Sequence, residues 1–286
     1  MTVVPGLVIV DKAGGMTSHD VVARVRRLAG TRKVGHAGTL DPMATGVLVL
    51  GLDRATRLLG HLMLTDKAYD ATVRLGVATS TDDAEGEVIA TASTAGITEQ
   101  RVREALELFV GDIEQVPSAV SAIKVDGKRA YDRVRAGEQV ELKPRTVRVD
   151  SIEVHEVEGD DVRISVRCSS GTYIRAIARD LGEHLGVGGH LVALRRTAVG
   201  PYTLDVAHTL EQLEDELAVL PIAEAARSAF PSVDLDAEQA TDVGFGRKLA
   251  LDLGHAGPVA LFGPDGDFLA LYEQDDELAR AVAVFV

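Results

Sequence analysis

The sequence predicts an α/β chain of the α+β kind, in which a mixed, largely antiparallel sheet is flanked by helices and followed by a small β-rich domain. Short apolar runs at residues 7–10 and 47–50 are typical of buried strands. Apolar residues at helical spacing over 98–110 indicate a helix on the sheet. Two longer strand patterns, 147–157 and 162–168, flank a short acidic turn, which indicates an antiparallel hairpin.

The N-terminal elements follow from local signals. After the strand at 7–10, Thr17 opens a helix whose apolar residues fall on one face, and Gly30 is suited to its C-terminal end. The second buried strand, 47–50, follows a glycine-rich turn. Residues 67–76 alternate apolar and polar side chains, as a half-exposed strand does.

The C-terminal part changes in character near residue 205. A helix is predicted over 172–185 and an acidic helix over 210–220, followed by a junction over 221–231. Beyond the junction, apolar runs predict short strands at 258–262, 268–272 and 281–284. We therefore divide the chain into a large domain, residues 1–228, and a small β-rich domain, residues 229–286.

The composition excludes several classes of protein. Of the 286 residues, 46% are hydrophobic and 26% are charged, as expected of a globular chain with a real core. The longest apolar runs are far too short to span a bilayer, and no signal-peptide pattern opens the sequence. Cys168 is the only cysteine, which excludes an internal disulfide and leaves no spacing typical of a zinc site. We therefore expect a cytoplasmic protein that binds no metal and no membrane.

The charge is unevenly distributed. The formal net charge is −14, but residues 205–286 alone hold 17 acidic and four basic residues. Residues 1–60, in contrast, hold eight basic and four acidic residues. Because a locally basic surface binds phosphate whatever the total charge, the acidic composition does not exclude a nucleic-acid partner.

Residues 35–48 are the richest in groups that carry chemistry, with three glycines, His36 and Asp41. Two interpretations of Asp41 are open at this point. An aspartate followed by Pro42 is typical of a helix N-cap with proline at the first helical position. An acid presented from a glycine-rich turn beside a buried strand is also a candidate catalytic group.

Motifs of other enzyme classes are absent from the sequence, which has no GxxxxGK[ST] loop, no GxGxxG after a strand and no GxSxG. Four segments, taken in order, closely resemble the TruB family of tRNA pseudouridine synthases. They are residues 10–18, 35–48, 67–69 and 169–175, with a fifth similar stretch at 115–131. The most specific is the signature Gly-His-x-Gly-x-Leu-Asp-Pro-x-Ala-x-Gly, and the resemblance covers residues 5–200.

The resemblance implies a pseudouridine synthase fold, with the catalytic domain over 1–228 and a PUA-like domain over 229–286. It implies that uridine 55 in the T loop of tRNA is isomerised to pseudouridine. This reaction breaks the C1′–N1 bond, rotates the uracil and rejoins it through C5. Since no group is lost and nothing is oxidised, we expect no cofactor.

Asp41 falls on the catalytic aspartate of the family, which favours catalysis over the helix cap. Whether its carboxylate attacks the sugar, attacks the base or acts mainly as a base stays open. The resemblance makes Arg175 its partner; a surface arginine early in a helix is the alternative. An arginine within ~4–6 Å lowers the pKa of an aspartate by about 1–3 units, so we expect Asp41 to be ionised.

The resemblance also supplies a pocket for the target base. It implies that Tyr69 stacks on the flipped uracil, that Tyr173 lines the same pocket and that Leu194 forms its apolar wall. Flipping costs a few kcal/mol, and an aromatic face recovers about 1–3 kcal/mol per base. Ordinary core packing is the alternative for each of the three.

Further contacts with RNA are implied for His36, against bases of the T loop, and for Lys12, which supports the turn or neutralises a phosphate. The alternatives for His36 are a proton-accepting base, a metal ligand and a buried core histidine. The resemblance also implies an RNA-binding insert at about 112–140, which carries the basic residues Lys124, Lys128, Arg129, Arg133 and Arg135. For these, a solvated charged face is the alternative.

The expected partner is the T stem-loop of tRNA, bound by a monomer without an obligate protein partner. Two other functions stay open. One is a tRNA-binding folding chaperone whose catalysis is secondary or lost. The other is a synthase that acts on other RNAs inside a ribonucleoprotein.

Overall fold

A computed structural model gives the fold of residues 4–118, 124–125, 128–129 and 142–286. The helices are α1 Ser18–Leu28, α2 Leu59–Leu62, α3 Glu99–Glu107, α4 Ile174–Leu185, α5 Leu210–Asp215, α6 Ile222–Ala229 and α7 Ala237–Gly244. The strands of the first half are β1 Gly6–Lys12, β2 Val34–His36, β3 Thr45–Leu52, β4 Lys67–Leu75, β5 Val77–Thr79, β6 Val88–Thr91, β7 Gly111–Gln115, β8 Lys124–Val125 and β9 Lys128–Arg129. Those of the second half are β10 Arg145–Glu158, β11 Asp161–Cys168, β12 Gly189–Val199, β13 Tyr202–Thr203, β14 Leu220–Pro221, β15 Ser232–Asp234, β16 Val259–Phe262, β17 Phe268–Asp275 and β18 Leu278–Val284.

A ten-stranded sheet forms the centre of the fold. Its order is β14-β1-β3-β12-β4-β11-β10-β7, with β2 paired to β3 and β13 paired to β12. Strands β3 and β12 run parallel, whereas the other recorded pairs of this sheet are antiparallel. The predicted mixed, largely antiparallel sheet is thus confirmed. A second sheet of four strands, β15-β16-β17-β18, is formed by the C-terminal residues.

Local sequence signals explain where several elements begin and end. Thr17 caps α1, because its hydroxyl accepts from the Asp20 N–H at 3.1 Å and the Asp20 carboxylate accepts from the Thr17 N–H at 2.9 Å. Helix α4 ends where Gly186 adopts a φ of 75°, a conformation open to glycine. The predicted hairpin is confirmed, since β10 and β11 pair along their length up to Glu158 and Asp161.

Two predicted segments differ from the structure. The acidic helix predicted over 210–220 ends at Asp215, and Leu220–Pro221 instead pairs with β1 as strand β14. The junction predicted over 221–231 is mostly helix α6. This helix forms because its apolar residues repeat at helical spacing and pack into the core. The residues of that buried stripe are Ile222, Ala225 and Ala226.

Two apolar clusters meet at strand β12. In the first, alternation along β4 buries Tyr69, Ala71, Val73 and Leu75 against residues of α3 and α4. The second joins β1 and β3 to α1 and α5. Leu194 of β12 packs against both clusters, so this strand joins the two halves of the sheet.

The C-terminal sheet shares a core with the central sheet. One cluster contains Leu7 and Ile9 of β1 together with Phe262, Phe268 and Phe285. The rings of Phe268 and Phe285 lie 4.7 Å apart between centroids, a normal distance for a tilted aromatic pair. A β module of this size buries little apolar surface by itself, so packing against the central sheet adds to its apolar burial.

Candidate active site

A pocket of about 280 Å³ opens where the turn before β3, strands β4 and β12, and the segment leading into α4 meet. Five predicted site residues line it, namely Asp41, Tyr69, Tyr173, Arg175 and Leu194. They come from segments that are up to about 150 positions apart in the sequence, so only the fold brings them together.

The turn that carries Asp41 is held by two buried side chains from the N-terminal region. Lys12 donates from Nζ to the carbonyls of Ala13 and Met16 and, at 3.2 Å, to that of Pro42. Ser18 of α1 donates from Oγ to the Leu40 carbonyl at 3.1 Å and accepts from the Leu40 N–H at 2.9 Å. Residues on both sides of Asp41 are therefore fixed through the main chain.

The interpretation of Asp41 as a helix N-cap is wrong. Residues 41–44 form a turn closed by a hydrogen bond from the Ala44 N–H to the Asp41 carbonyl at 3.1 Å. Strand β3 then begins at Thr45. Because the chain enters a strand at this point, Pro42 serves the turn, and the Asp41 side chain lines the pocket.

Arg196 of β12 supports the same turn from inside the protein. Its side chain is only 1% exposed. It donates from Nε to the Val47 carbonyl at 2.7 Å and from Nη2 to the Gly38 carbonyl at 3.1 Å. A buried guanidinium needs such acceptors to offset its desolvation, and in return it fixes the backbone that carries them.

The contact between Arg196 and Gly46 gives a testable consequence for stability. Gly46 has a φ of 97°, and a Cβ added there would lie 2.2 Å from the Arg196 carbonyl oxygen. We expect Gly46→Ala to lower the free energy of unfolding by about 1–3 kcal/mol through backbone strain alone, and further through this clash. Urea denaturation measures the change.

Gly15→Ala is the matched control for this substitution. Gly15 has a similar φ of 80°, but a Cβ there would meet no atom within 4 Å. The control therefore carries the backbone strain without the clash. Equal losses in the two variants would show that the approach of Arg196 to Gly46 adds nothing.

Arg175 joins Asp41 to a second, buried carboxylate. Its Nε lies 3.2 Å from Asp41 Oδ2, and its Nη1 donates to Asp83 Oδ2 at 3.0 Å and to the Thr81 carbonyl at 3.1 Å. The side chain of Arg175 is 5% exposed, whereas that of Asp41 is 36% exposed. Asp41 is thus the member of this network that a ligand in the pocket can reach.

The pKa of Asp41 results from opposing influences. Burial raises its pKa above the ordinary value, and Arg175 is the largest influence that lowers it. Asp83 raises the pKa again, while Lys12 and Arg196 lower it. The expectation that Arg175 lowers the pKa is correct for that pair, but the net shift is upward because burial outweighs the charge.

The aromatic and apolar walls agree in place with the sequence predictions. Tyr69 on β4 is buried, and burial raises the pKa of its hydroxyl. The Tyr173 ring lies beneath the guanidinium of Arg145, whose central carbon is 4.8 Å from the ring centroid. Leu194 contributes to the core and to the pocket at once, so the two interpretations of this residue are compatible.

The other predicted contacts lie outside this pocket. His36 ends strand β2, and its ring meets that of His19 edge-on at 5.6 Å between centroids. Lys12 is fully buried, and burial lowers its pKa to about 8, so it supports the turn and is not open to a phosphate. In the insert, Lys124 pairs with Arg129 along β8 and β9, next to Lys128. The side chains of these three residues, and all of Arg133 and Arg135, lie outside the described residues.

The sequence predicts no role for Asp83, which binds Arg175, or for three residues that line the pocket. Asp83 follows Asp82 in a polar turn, and only the fold shows that it faces Arg175. Lys67 falls inside a motif segment and Arg196 lies two residues after Leu194, and from the sequence both look like surface cations. Lys67 is in fact buried, donates to the carbonyls of Met63 and Thr65, and has its pKa lowered to about 8. The fourth residue is Arg145, at the start of β10.

The described residues form neither a metal-binding cluster nor a membrane-spanning helix. No group of three or more His, Cys, Asp or Glu side chains in these residues is arranged to hold a metal ion. Within the same part of the chain, no helix has the length and apolar character needed to cross a membrane.

Comparison with family models matches nearly the whole chain. The model described as TruB family pseudouridylate synthase, N-terminal domain, matches residues 26–174. The model of a tRNA pseudouridylate synthase B C-terminal domain matches residues 175–228, and that of tRNA pseudouridine synthase II, C-terminal, matches residues 230–286.

Curated relatives and solved structures agree with these matches. Proteins named tRNA pseudouridine synthase B from Arthrobacter sp. (strain FB24) and Thermobifida fusca are each 57% identical over 98% of this chain, covering 96% and 98% of the relative. A Cbf5–Nop10–Gar1 complex contains a chain that is 28% identical, with a TM-score of 0.76 over 98% of this chain and 85% of that one. An H/ACA ribonucleoprotein bound to a substrate RNA containing 2′-deoxyuridine gives a TM-score of 0.75 at the same identity and coverage.

Proposed function

The chain belongs to the TruB family of pseudouridylate synthases, and on that premise we propose that it isomerises uridine 55 in the T loop of tRNA to pseudouridine. Pseudouridine formation on tRNA follows from the family and from relatives named tRNA pseudouridine synthase B at 57% identity. The position in the T loop, flipping of the base and the essential role of Asp41 belong to the proposal.

The observation that carries the proposal is the position of Asp41. Its carboxylate is partly exposed at the pocket and lies 3.2 Å from the guanidinium of a buried arginine. In the reaction the C1′–N1 bond breaks, a C1′–C5 bond forms, the C5 proton leaves and N1 gains a proton. A single ionised carboxylate can serve such a reaction either as a nucleophile or as a base. No oxidant, reductant or transferred group enters this balance.

The walls of the pocket suit a base removed from its stack. Uracil is flat, and Tyr69 and Tyr173 line the pocket on which Asp41 also opens. Aromatic faces of this kind offset part of the cost of flipping, about 1–3 kcal/mol per base. Flipping costs least where the target is already loosely stacked, as in a loop of RNA.

The experiment that tests this function uses the purified chain alone. An unmodified tRNA transcript is incubated with the protein, and pseudouridine is mapped by mass spectrometry of nuclease fragments. We expect pseudouridine at position 55 without any added cofactor or protein, and none in a control transcript that carries cytidine there. Modification at another position, or only in the presence of a protein complex, would contradict the proposal.

We expect tRNA binding to weaken as salt is raised, although the chain is acidic overall. Each phosphate contact releases counterions, so the logarithm of the affinity falls linearly with the logarithm of the salt concentration. The acidic residues concentrate in residues 205–286, which leaves the remainder close to neutral. A titration of salt in a fluorescence anisotropy assay measures the slope. An affinity that stays flat over the range would contradict a locally basic contact surface.

The two other functions make different predictions. A folding chaperone binds tRNA whether or not Asp41 can react, so it accounts for binding but not for pseudouridine. A synthase of a ribonucleoprotein leaves free tRNA unmodified. The complexes with that arrangement contain chains only 28% identical to this one, against 57% for the relatives named as tRNA enzymes. We therefore favour tRNA modification by the chain alone, as a monomer, over the two other functions.

The division of the chain at residues 228 and 229 is part of the same proposal. Its support is that the strands after residue 231 form a separate four-stranded sheet. The insert is proposed to contact RNA through its basic residues. The first residues of this predicted insert, 112–115, belong to β7, which pairs with β10 in the central sheet.

A further inference from the structure

Residues at the ends of β7 and β10 both contact Tyr173, which lines the pocket. Gln115 closes β7, Arg145 opens β10, and the two are direct partners across the antiparallel pair. Both side chains reach Tyr173, which immediately precedes helix α4. Tyr173 is separated from Arg175 by one residue, so a hold on Tyr173 acts close to the partner of Asp41.

Gln115 holds the main chain of Tyr173 through both ends of its amide. The Tyr173 N–H donates to Gln115 Oε1 at 2.7 Å, and Gln115 Nε2 donates to the Tyr173 carbonyl at 3.1 Å. The side chain is 1% exposed. A buried amide bonded in this way is costly to remove, because both main-chain groups of Tyr173 lose a partner that water does not replace.

Arg145 holds the side chain of the same residue. Its guanidinium lies over the Tyr173 ring and donates to the carbonyl of Gly171. Tyr173 is the N-cap of α4 and makes no capping hydrogen bond with its own side chain. The two partners therefore fix Tyr173, whose carbonyl accepts the first hydrogen bonds of α4 from the N–H groups of Ala176 and Ile177.

We propose that the Gln115–Arg145 pair positions Tyr173 and, through the first turn of α4, holds Arg175 against Asp41. Arg175 has a second support in Asp83, whose Oδ2 accepts from its Nη1 at 3.0 Å. The pair at the strand ends supplies the other support, through the main chain. The consequence for catalysis rests on the proposed function, whereas the consequence for Asp41 does not.

The test follows the ionisation of Asp41 directly, by ¹³C NMR of the protein labelled at aspartate carboxyls, with Asp41→Asn identifying the resonance. Among the described residues, the charged groups that act on Asp41 are Arg175, Asp83, Lys12 and Arg196. Of these, only Arg175 lies in the helix that Tyr173 begins. We expect Gln115→Met to raise the pKa of Asp41 by about 0.5–1 unit relative to wild type, since Arg175 is less firmly held.

A split between catalysis and binding is the second readout. We expect Gln115→Met to lower kcat by about tenfold, the effect of losing part of one buried hydrogen-bond pair. The Kd for a synthetic T stem-loop should change less than about twofold, because the amide is buried and faces protein groups. Gln100→Met is the matched control, because Gln100 is exposed on α3, outside the insert, and its amide donates to Glu104 on the same helix. It should match wild type in both readouts.

Arg145→Met removes the contact of Arg145 with the Tyr173 ring. It also provides the test if Gln115→Met fails to fold. It should move the pKa of Asp41 in the same direction by a smaller amount. A lower melting temperature in both variants with Asp41 titrating as in wild type would overturn the proposal, because the pair would then be structural only. If wild type forms no pseudouridine while the shifts appear, the proposed function fails and the positioning role stands.

Discussion

The Asp41→Asn variant is expected to form pseudouridine at least about 10³-fold more slowly than wild type, because the amide is neither a nucleophile nor a base. The turn that carries the residue should keep its shape. It is fixed through the main chain by Lys12, Ser18 and Arg196, and none of these bonds uses the Asp41 carboxylate. Single-turnover kinetics with unmodified tRNA measures the loss.

Stability provides the control for Asp41→Asn. Burial raises the pKa of Asp41, so its ionised form is less favourable in the folded chain than in the unfolded one. The stability that this group contributes is present below its unfolded pKa and is lost as the pH rises through its folded pKa. At pH 7 the variant should therefore melt no lower than wild type. A variant that binds tRNA, melts normally and still forms pseudouridine at the wild-type rate would exclude Asp41 as the reacting group.

The second large effect is expected for Arg175→Lys, which keeps the charge but not the fork of donors. Arg175 uses two nitrogens to reach Asp41 and Asp83 at 3.2 and 3.0 Å, and a single ammonium cannot reproduce both contacts. The pKa of Asp41 then rises further, because burial and Asp83 act against a weaker opposing charge. We expect the acidic limb of kcat/KM to move to higher pH by about 1 unit, with kcat reduced about tenfold.

A matched control lies one helical turn away. Arg179 pairs with Asp82 at 3.2 Å and Asp180 at 2.7 Å and has no recorded contact with Asp41 among the described residues. Arg179→Lys should keep the wild-type acidic limb. The measurement is the pH dependence of kcat/KM between about pH 4 and 8 for both variants and wild type. An equal displacement in both, or none in Arg175→Lys, would contradict control of Asp41 by its partner.

The order and type of most elements could be predicted from the sequence, because local periodicity determines them. Residues 67–76 alternate, and the structure has strand β4 there. The Asp41 turn shows the limit of such patterns. Aspartate followed by proline suits a helix cap and a turn equally. The structure has a turn because strand β3, and not a helix, follows. Helix α6 was missed for a related reason, since prolines on either side suggested a junction.

The site could be predicted only where a motif marked it. Asp41, Tyr69, Tyr173 and Arg175 lie in segments that resemble the family, and the fold brings them to one pocket. Asp83 lies in none of these segments, and the single sequence holds no sign of its pairing with a distant arginine. The net shift in the pKa of Asp41 was also beyond the sequence. It depends on how much water the folded pocket excludes, which no residue pattern records.

The most direct test of the central claim is a single-turnover reaction on one unmodified tRNA, with wild type and Asp41→Asn each in excess over the RNA. Nuclease fragments are then analysed by mass spectrometry at nucleotide resolution. The predicted result is stoichiometric pseudouridine at position 55 with wild type and none above background with Asp41→Asn, although both proteins bind the tRNA. Pseudouridine at position 55 in equal amounts from both proteins would contradict the assignment of the reaction to Asp41.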